Sequence, residues 1–282
     1  RGMPSYRPLR SASYAFDYAL SGLNPVGYHL SNVALHTFSA VAVFLIAGRM
    51  FGKVRPALFA ALLFAVHPIQ TDSVTYLSGR RDVLSGLFVL SGFYSFLCYR
   101  LTGKRGYLIG MAISFPLSFF SKESGIILPL LCFAYDSLSR TIATQGVGGT
   151  SAVRRLWAGM RVALHEGRWV YLPFFAGAGV FAFYVLFLVR GTWQQTYHGG
   201  SLWFTLLTDA RIFVHYLKLL IFPITLNADY SYNAFPVTVS WTDPKALMAV
   251  LTLFGIGVGC YLALKWRPLV TLGGLWFFIA LL

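Results

Sequence analysis

Eight runs of mostly apolar residues, each close to the length of a membrane span, divide this chain from end to end. A transmembrane helix needs roughly 17–25 consecutive, mostly apolar residues. The runs that reach or approach this length are 30–48, 56–76, 83–99, 106–121, 124–138, 169–189, 246–264 and 268–282. The pattern predicts an all-α integral membrane protein with about eight transmembrane helices.

The composition also argues against a soluble protein. Of the 282 residues, 57% are hydrophobic and only 11% are charged, whereas soluble proteins have about 25% charged residues. The net charge of +14 could indicate nucleic-acid binding. The basic residues, however, lie in short clusters between apolar runs, where they contact anionic lipid and set the topology. We therefore expect membrane lipid and no nucleic acid as a partner.

The chain begins at Arg1 and ends inside an apolar run. We expect residues 1–282 to be one membrane domain, cut at both ends from a longer protein. Cys98, Cys132 and Cys260 lie inside apolar runs without metal-ligand spacing, so we interpret them as small buried hydrophobic residues. No HExxH or CxxC motif indicates a protein-built metal site, and dependence on a divalent metal stays open.

Basic clusters alternate with the apolar runs and predict the orientation of the chain. The four clusters are Arg49, Lys53 and Arg55; Arg100, Lys104 and Arg105; Arg140, Arg154, Arg155, Arg161 and Arg168; and Lys265 and Arg267. The positive-inside rule makes their common side cytoplasmic. Seven of the nine acidic residues then fall on the outer side: Asp17, Asp72, Asp82, Glu123, Asp209, Asp229 and Asp243.

The inner segment 139–168 is predicted as a cytoplasmic basic loop. Apolar residues recur at helical spacing over 153–164, with arginines between them. This pattern favours a basic amphipathic helix on the membrane surface, with a bare linker as the equal alternative.

The outer segment 190–245 contains an apolar stretch, 202–226, that is long enough to cross the membrane. That stretch also carries Asp209, Arg211 and Lys218, which are costly at the middle of a bilayer. We therefore predict an outer-face loop with a helix that lies at the membrane interface.

Four motifs place polar groups at the outer ends of the predicted spans. They are SYRPL with the GYHLSNVALH helix, HPIQTDSVTYLSGRRDVLSG, FFSKESG and LNADYSY. Ionisable residues at a membrane edge are candidates for function, although each motif could instead only cap and pair helix ends. His29, Asn32 and His36 share one helix face, and we interpret His36 as a packing residue.

Cations and carboxylates at one membrane face suit glycosyl transfer from a lipid-linked phosphosugar. Arg and Lys can hold the phosphate at headgroup depth and stabilise the charge that develops on it. A nearby carboxylate can take the proton from the acceptor hydroxyl. The chain has no P-loop, Rossmann fingerprint or Gly-x-Ser-x-Gly elbow, so nucleotide hydrolysis and serine-hydrolase chemistry lack support.

The same motifs, in this order and spacing, resemble the membrane half of the TMTC-type protein O-mannosyltransferases. The likeness runs from about Tyr6 to Asp136 and, more weakly, from Leu220 to Ser231. It implies a GT-C fold, an inverting transfer and a polyprenyl-phosphate sugar as donor, with a protein or glycan as acceptor. It implies an active face toward the lumen or periplasm, in the endoplasmic reticulum or bacterial inner membrane. A tetratricopeptide-repeat domain often follows in this family and is absent from these residues.

The resemblance also assigns roles by motif position. Arg7, Arg80 and Lys122 would hold the donor phosphate, with Arg81 as a weaker addition. The acidic pair that the family carries after a preceding helix, in its first outer loop, is missing, so the family's usual base has no counterpart here.

The acidic residues of the motifs receive the remaining roles. Asp72 and Glu123 fall where the family places acids near the donor or acceptor and are the candidates for catalysis. Asp82 either contacts the substrate or orients Arg80 as its salt-bridge partner. Asp229 is expected to line the entrance for the acceptor.

Two other functions stay open at this point. A transporter or flippase of a lipid-linked solute would place charged or broken helices near the midplane, in repeat-related halves, whereas these ionisable residues gather at one face. A non-catalytic membrane scaffold would tolerate neutral substitutions throughout the four motifs.

Overall fold

The computed structural model describes residues 7–143, 152–184, 187, 200–224, 226–227, 235–266 and 268–281, and these residues form α-helices and short 3-10 turns without strands. The helices are α1 (Pro8–Ser21), α2 (Pro25–Phe51), α3 (Val54–Val66), α4 (Thr71–Thr75), α5 (Arg80–Thr102), α6 (Gly106–Ser121), α7 (Leu128–Ala143), α8 (Ala152–Phe183), α9 (Leu202–Ile221), α10 (Pro244–Trp266) and α11 (Pro268–Leu281). The predicted all-α membrane fold is confirmed.

Several of these helices match membrane spans in length and apolar character. Four described segments are long and apolar enough to cross a bilayer: Pro25–Phe51, Leu77–Thr102, Glu123–Ile142 and Pro244–Leu264. Gly106–Ser121 and Leu269–Leu281 are apolar but shorter. The helices follow the predicted runs for a physical reason. Lipid offers no hydrogen-bond partners, so the backbone N–H and C=O groups of an apolar segment bond to one another within a helix.

The predicted run 56–76 is broken in the structure. The helix α3 ends at Val66, Pro68 opens a 3-10 turn, and α4 follows at an angle of 46° to α3. Proline lacks a backbone N–H and forces the residue before it into an extended conformation. His67 accordingly has φ −66° and ψ 126°, and its Nδ1 accepts a hydrogen bond from the Ile69 N–H at 3.2 Å. His67 therefore caps the end of α3 and the start of the 3-10 turn.

The described residues of the inner segment 139–168 are helical, in agreement with the helical alternative for its amphipathic stretch, and its cytoplasmic position stays a prediction. Residues up to Ala143 continue α7, and residues from Ala152 begin α8. The amphipathic stretch and the following apolar run form one helix of 32 residues. At 1.5 Å per residue it is about 48 Å long, whereas the hydrocarbon core is about 30 Å thick. Part of α8 therefore extends beyond the span predicted at 169–189.

The helix α9 contacts the ends of two other helices. Arg211 forms an ion pair with Asp243, just before α10, at 3.4 Å. Near the other end of α9, the Leu220 carbonyl accepts a hydrogen bond from His67 Nε2 at 3.0 Å. Both contacts involve residues assigned to the outer side, and the interfacial position of α9 stays a prediction.

An aromatic core joins α5, α6, α7 and α8. Phe93, Phe96, Phe115 and Tyr171 are almost completely buried in it. Phe93 also meets Trp276 of α11 edge to face, with ring centroids 4.7 Å apart. Aromatic pairs in this arrangement contribute beyond their buried area, so α11 is held against the centre of the bundle.

A buried carboxylate ties three helices together at one end of the bundle. Asp136 of α7 is completely buried. It accepts a hydrogen bond from the Tyr171 hydroxyl at 2.9 Å and pairs with Arg100 at 2.7 Å and Arg140 at 3.2 Å. Arg140 also pairs with Glu166 at 2.5 Å. Arg100 and Arg140 belong to two different predicted inner clusters. Their partners, Asp136 and Glu166, are the two acids of the sequence that were not assigned to the outer side.

We expect Asp136→Ala to destabilise the fold by about 1–3 kcal/mol, because the buried Tyr171 hydroxyl loses its acceptor and Arg100 loses its carboxylate partner. Thermal unfolding of the detergent-solubilised protein measures the effect. Glu166→Gln is the matched control, since Glu166 is 58% exposed and contributes little to stability. Similar shifts of Tm in the two variants would contradict a structural role for Asp136.

Candidate active site

A cavity of about 290 Å³ opens between α2, α3, α4, α5, the turn before α7, and α11. Its polar wall is formed by His36, Gln70, Ser73, Asp82, Ser85 and Ser124. Its apolar wall includes Phe64, Leu90 and Trp276. The volume is close to the lower limit of roughly 300 Å³ for small-molecule sites.

Asp82 is the carboxylate of the cavity wall, and two cations bind it. Its Oδ1 pairs with Lys122 Nζ, and its Oδ2 accepts from Arg81 Nε at 3.3 Å. Asp82 lies in the first turn of α5, where the helix dipole favours an acid. The side chains of Asp82, Lys122 and Arg81 are 30%, 34% and 37% exposed. Both cations therefore bind a carboxylate of the cavity wall and are partly exposed, although neither side chain lines the cavity itself.

The turn after α6 brings a second ion pair to the same place. Arg7 donates to Glu123 Oε2 from Nε at 3.1 Å and from Nη2 at 2.9 Å. Glu123 follows Lys122 and precedes the cavity-lining Ser124. Arg7 of the SYRPL motif is thus brought to the turn that carries Lys122 and Glu123 of the FFSKESG motif.

Two motif glycines allow the backbone to pass close to these residues. A Cβ at Gly125 would collide with the backbone of Ser118, whose hydroxyl donates to the Gly125 carbonyl at 2.9 Å. A Cβ at Gly79 would collide with the backbone of Ser73. The Ser-Lys-Glu-Ser-Gly and Ser-Gly-Arg motifs therefore need glycine for close packing next to the cavity.

Arg80 is enclosed in a separate network. Its side chain is only 1% exposed, and it forms an ion pair with the equally buried Asp17. Nε donates to Asn32 Oδ1 and Nη2 to the Tyr28 carbonyl, both at 2.7 Å. The guanidinium also stands over the Tyr14 ring, 4.8 Å from its centroid. Because its nitrogens are bound by protein groups and its side chain is almost completely buried, the structure does not support the prediction that Arg80 contacts the donor phosphate.

The expectation that Asp82 orients Arg80 is wrong. The carboxylate partner of Arg80 is Asp17 of α1, while Asp82 binds Arg81 and Lys122. Adjacent positions on a helix point in different directions, so Arg80 faces α1 and α2 while Arg81 stays at the surface. Arg80 was the stronger candidate for contacting the donor phosphate and Arg81 the weaker one, but Arg81 is the more accessible of the two.

Asp17 is the residue that sequence reasoning missed as a partner. It lies on α1, which was not predicted because the helix has only 14 residues and carries several polar ones. Ser13, Asp17 and Ser21 recur every four residues, and this polar stripe was the available signal. Tyr14 of the same helix donates to the Leu77 carbonyl at 2.6 Å, and burial raises its pKa.

The predicted face of His29, Asn32 and His36 is divided. Asn32 is completely buried and donates to the Val74 carbonyl at 3.0 Å, while His29 is exposed. His36 lines the cavity, and its Nε2 lies 3.1 Å from the Ala65 carbonyl. A carbonyl only accepts, so Nε2 carries the proton and Nδ1 of the neutral ring keeps its lone pair. His36 therefore both packs and offers an acceptor.

Two predicted acids lie apart from this cluster. Asp72 is exposed on α4, and its side chain has no hydrogen bond or ion pair with any residue that the structure describes. It precedes Ser73, which lines the cavity. Asp229 lies outside the described residues. Within the described ranges, no three His, Cys, Asp or Glu side chains are grouped as metal ligands.

Residues 8–153 match the family model of dolichyl-phosphate-mannose-protein mannosyltransferases. The chain belongs to this family. The matched region runs from α1 into the start of α8 and contains every described candidate residue except Arg7, which immediately precedes it. The predicted relationship to mannosyltransferases is thereby confirmed, and membership supports a membrane glycosyltransferase.

Several curated proteins are similar to this chain. Protein O-mannosyl-transferase TMTC3 of Mus musculus is 36% identical over 141 residues, which is 48% of this chain and 15% of that protein. The tmtc2 protein of Xenopus laevis is 38% identical over 140 residues, 47% of this chain and 16% of that protein. TMTC4 of Homo sapiens is 26% identical over 301 residues, 97% of this chain and 38% of that protein.

The chain thus spans 15–38% of the length of these relatives. No solved structure matches it.

We expect Arg80→Ala to destabilise the fold by about 3–5 kcal/mol, because Asp17 would be left buried without its partner. Asp17→Ala should have a similar effect, and the double variant should lose less than the sum of the two. Thermal unfolding measures all three. Arg81→Ala, one residue further along α5, is the control and should barely change Tm; an equal loss in Arg81→Ala would refute the distinction between the two arginines.

Proposed function

We propose that this chain is the membrane part of a glycosyltransferase that moves a sugar from a polyprenyl phosphate to a hydroxyl of a protein or glycan. The names of its relatives favour mannose as the sugar and a protein as the acceptor. The proposed active face is lumenal or periplasmic. The observation that carries the proposal is the cavity with Asp82 in its wall and two partly exposed cations on that carboxylate.

The cavity has the chemistry of a sugar site. Hydroxyl, amide and imidazole groups can exchange hydrogen bonds with several sugar hydroxyls, and the free Nδ1 of His36 adds an acceptor. The Phe64 and Trp276 side chains supply apolar surface for the carbon face of the ring. A mainly apolar wall with a few placed polar groups is typical of small-molecule sites.

The phosphate of the donor suits the two cations beside the cavity. Arg81 offers a planar fork of donors and Lys122 a compact ammonium group, and both are exposed enough to exchange Asp82 for a phosphate. As the bond between the anomeric carbon and the phosphate oxygen breaks, its electron pair stays on the phosphate. Cations fixed in a low-dielectric site stabilise that charge. Arg7 and Glu123 hold the turn that carries Lys122.

The acceptor oxygen forms the new bond to the anomeric carbon, and a carboxylate takes its proton. In an inverting displacement the base and the leaving phosphate stand on opposite sides of that carbon. Asp82 shares its cations with the phosphate and therefore belongs to the leaving-group side. Asp72, exposed on α4 beside the cavity-lining Ser73, is our candidate for the base.

Transfer of label tests the function. Full-length protein in nanodiscs would receive radiolabelled polyprenyl-phosphate mannose and a Ser/Thr-containing peptide. Lys122→Ala or Arg81→Ala should raise the KM for the donor and also lower kcat, so that kcat/KM falls about 10–100-fold, since a hydrogen bond to a charged group contributes roughly 1.5–3 kcal/mol and strengthens as charge develops on the leaving phosphate. Asp72→Asn should mainly lower kcat.

Lys104→Ala is the control for charge removal, because Lys104 is exposed in the loop between α5 and α6. It should leave both constants unchanged. Failure to form a glycosidic product with any polyprenyl-phosphate sugar would refute the proposal. Movement of the labelled donor across a vesicle membrane without such a product would instead favour the flippase alternative.

A further inference from the structure

A second cleft, of about 510 Å³, lies between α9 and α10. Arg211, His215 and Lys218 of α9 and Lys245 of α10 line it, together with apolar side chains that include Phe235 and Met248. The cleft follows α10 from Lys245 to Thr252, a rise of about 10 Å. It therefore combines several nitrogen cations with an apolar wall long enough for the start of a lipid chain.

The positive charge of this cleft is only partly balanced. Asp243 is fully engaged, because its Oδ1 accepts the Lys245 backbone N–H at 2.9 Å and its Oδ2 pairs with Arg211 at 3.4 Å. Lys218 and Lys245 are exposed, and their ammonium groups form no ion pair with any carboxylate that the structure describes. Among the described residues beside the cleft, one carboxylate, Asp243, thus faces three permanent cations.

Arg211 is held in place by contacts with the segment before α10. Nη1 donates to the Thr238 hydroxyl at 2.8 Å and to the Pro236 carbonyl at 3.0 Å. Its guanidinium stands 5.0 Å from the centroid of the Phe235 ring. Burial and, secondly, the nearby Lys218 lower the pKa of His215, so the imidazole is uncharged at neutral pH.

The collected cations need a compensating anion. Neighbouring like charges repel one another, whereas each cation beside the candidate active site contacts a carboxylate, with Arg81 and Lys122 sharing Asp82. Basic pockets between membrane helices are known as sites for anionic lipid headgroups. A phosphate supplies both the charge and the acceptor oxygens that Arg and Lys prefer.

We propose that the cleft between α9 and α10 binds a membrane lipid through its phosphate headgroup. Lys218, Lys245 and Arg211 contact the phosphate, and the lipid chain follows the apolar wall past Met248. The ligand is an anionic phospholipid or a polyprenyl phosphate, which share this headgroup chemistry. The site is separate from the cavity at Asp82 and does not depend on the proposed transfer reaction.

Native mass spectrometry of the full-length protein, released from nanodiscs, tests the site with phosphatidylglycerol and with undecaprenyl phosphate. The wild type should retain one such lipid, and the double variant Lys218→Gln/Lys245→Gln should bind it about 10–30-fold more weakly, because each lysine near a headgroup adds attraction. Both lysines are exposed, so the variant should fold, and an unchanged Tm verifies this.

The control variant Lys104→Gln/Arg105→Gln removes two exposed charges elsewhere and should stay within about twofold of the wild type. Phosphatidylcholine, whose headgroup is neutral overall, should bind at least about tenfold more weakly than whichever anionic probe the wild type retains. Equal losses in the two double variants, or binding of phosphatidylcholine equal to that of both anionic probes, would overturn the proposal. Retention of both anionic probes supports a bilayer phospholipid, and retention of undecaprenyl phosphate alone supports a polyprenyl ligand.

Discussion

A charge that is removed from water in a helical membrane bundle has to meet an opposite charge, and this requirement arranges both ends of the protein. At one end Asp17 and Arg80 join α1, α2 and α5. At the other, Asp136 binds two arginines and a tyrosine and joins α5, α7 and α8. Removing one member of such a cluster leaves its partner buried and uncompensated. Both ends of α5 are therefore fixed, and the candidate active site is built on its first turn.

The same requirement separates structural cations from cations that can serve a ligand. Arg80 is 1% exposed and has protein partners for its nitrogens, whereas the neighbouring Arg81 is 37% exposed and shares a single carboxylate with Lys122. A phosphate can take the place of a carboxylate only where the cations that bind the carboxylate are partly exposed to solvent, as Arg81 and Lys122 are. Proximity in sequence therefore says little about function here, because one helical step changes what a side chain faces.

The membrane helices could be predicted because bilayer thickness and internal hydrogen bonding leave few alternatives to a long apolar helix. Gly106–Ser121 was predicted with its observed boundaries. Prediction failed where these constraints relax. The short polar helix α1 gave no hydropathy signal, and the sequence left a helix and a bare linker as equal alternatives for the stretch where α8 begins before its apolar core.

The sequence by itself determined that this is an all-α membrane protein of the mannosyltransferase family, and it located the turn that carries Lys122 and Glu123. Those features depend on local composition, spacing and motif order, which a sequence displays directly. Only the tertiary structure decided that Arg80 pairs with Asp17, that Asp82 holds Arg81 and Lys122, and that His36 lines their cavity. Partners 40 and 63 residues apart in the chain are chosen by the packing of whole helices, and hydropathy does not encode which charged face meets which.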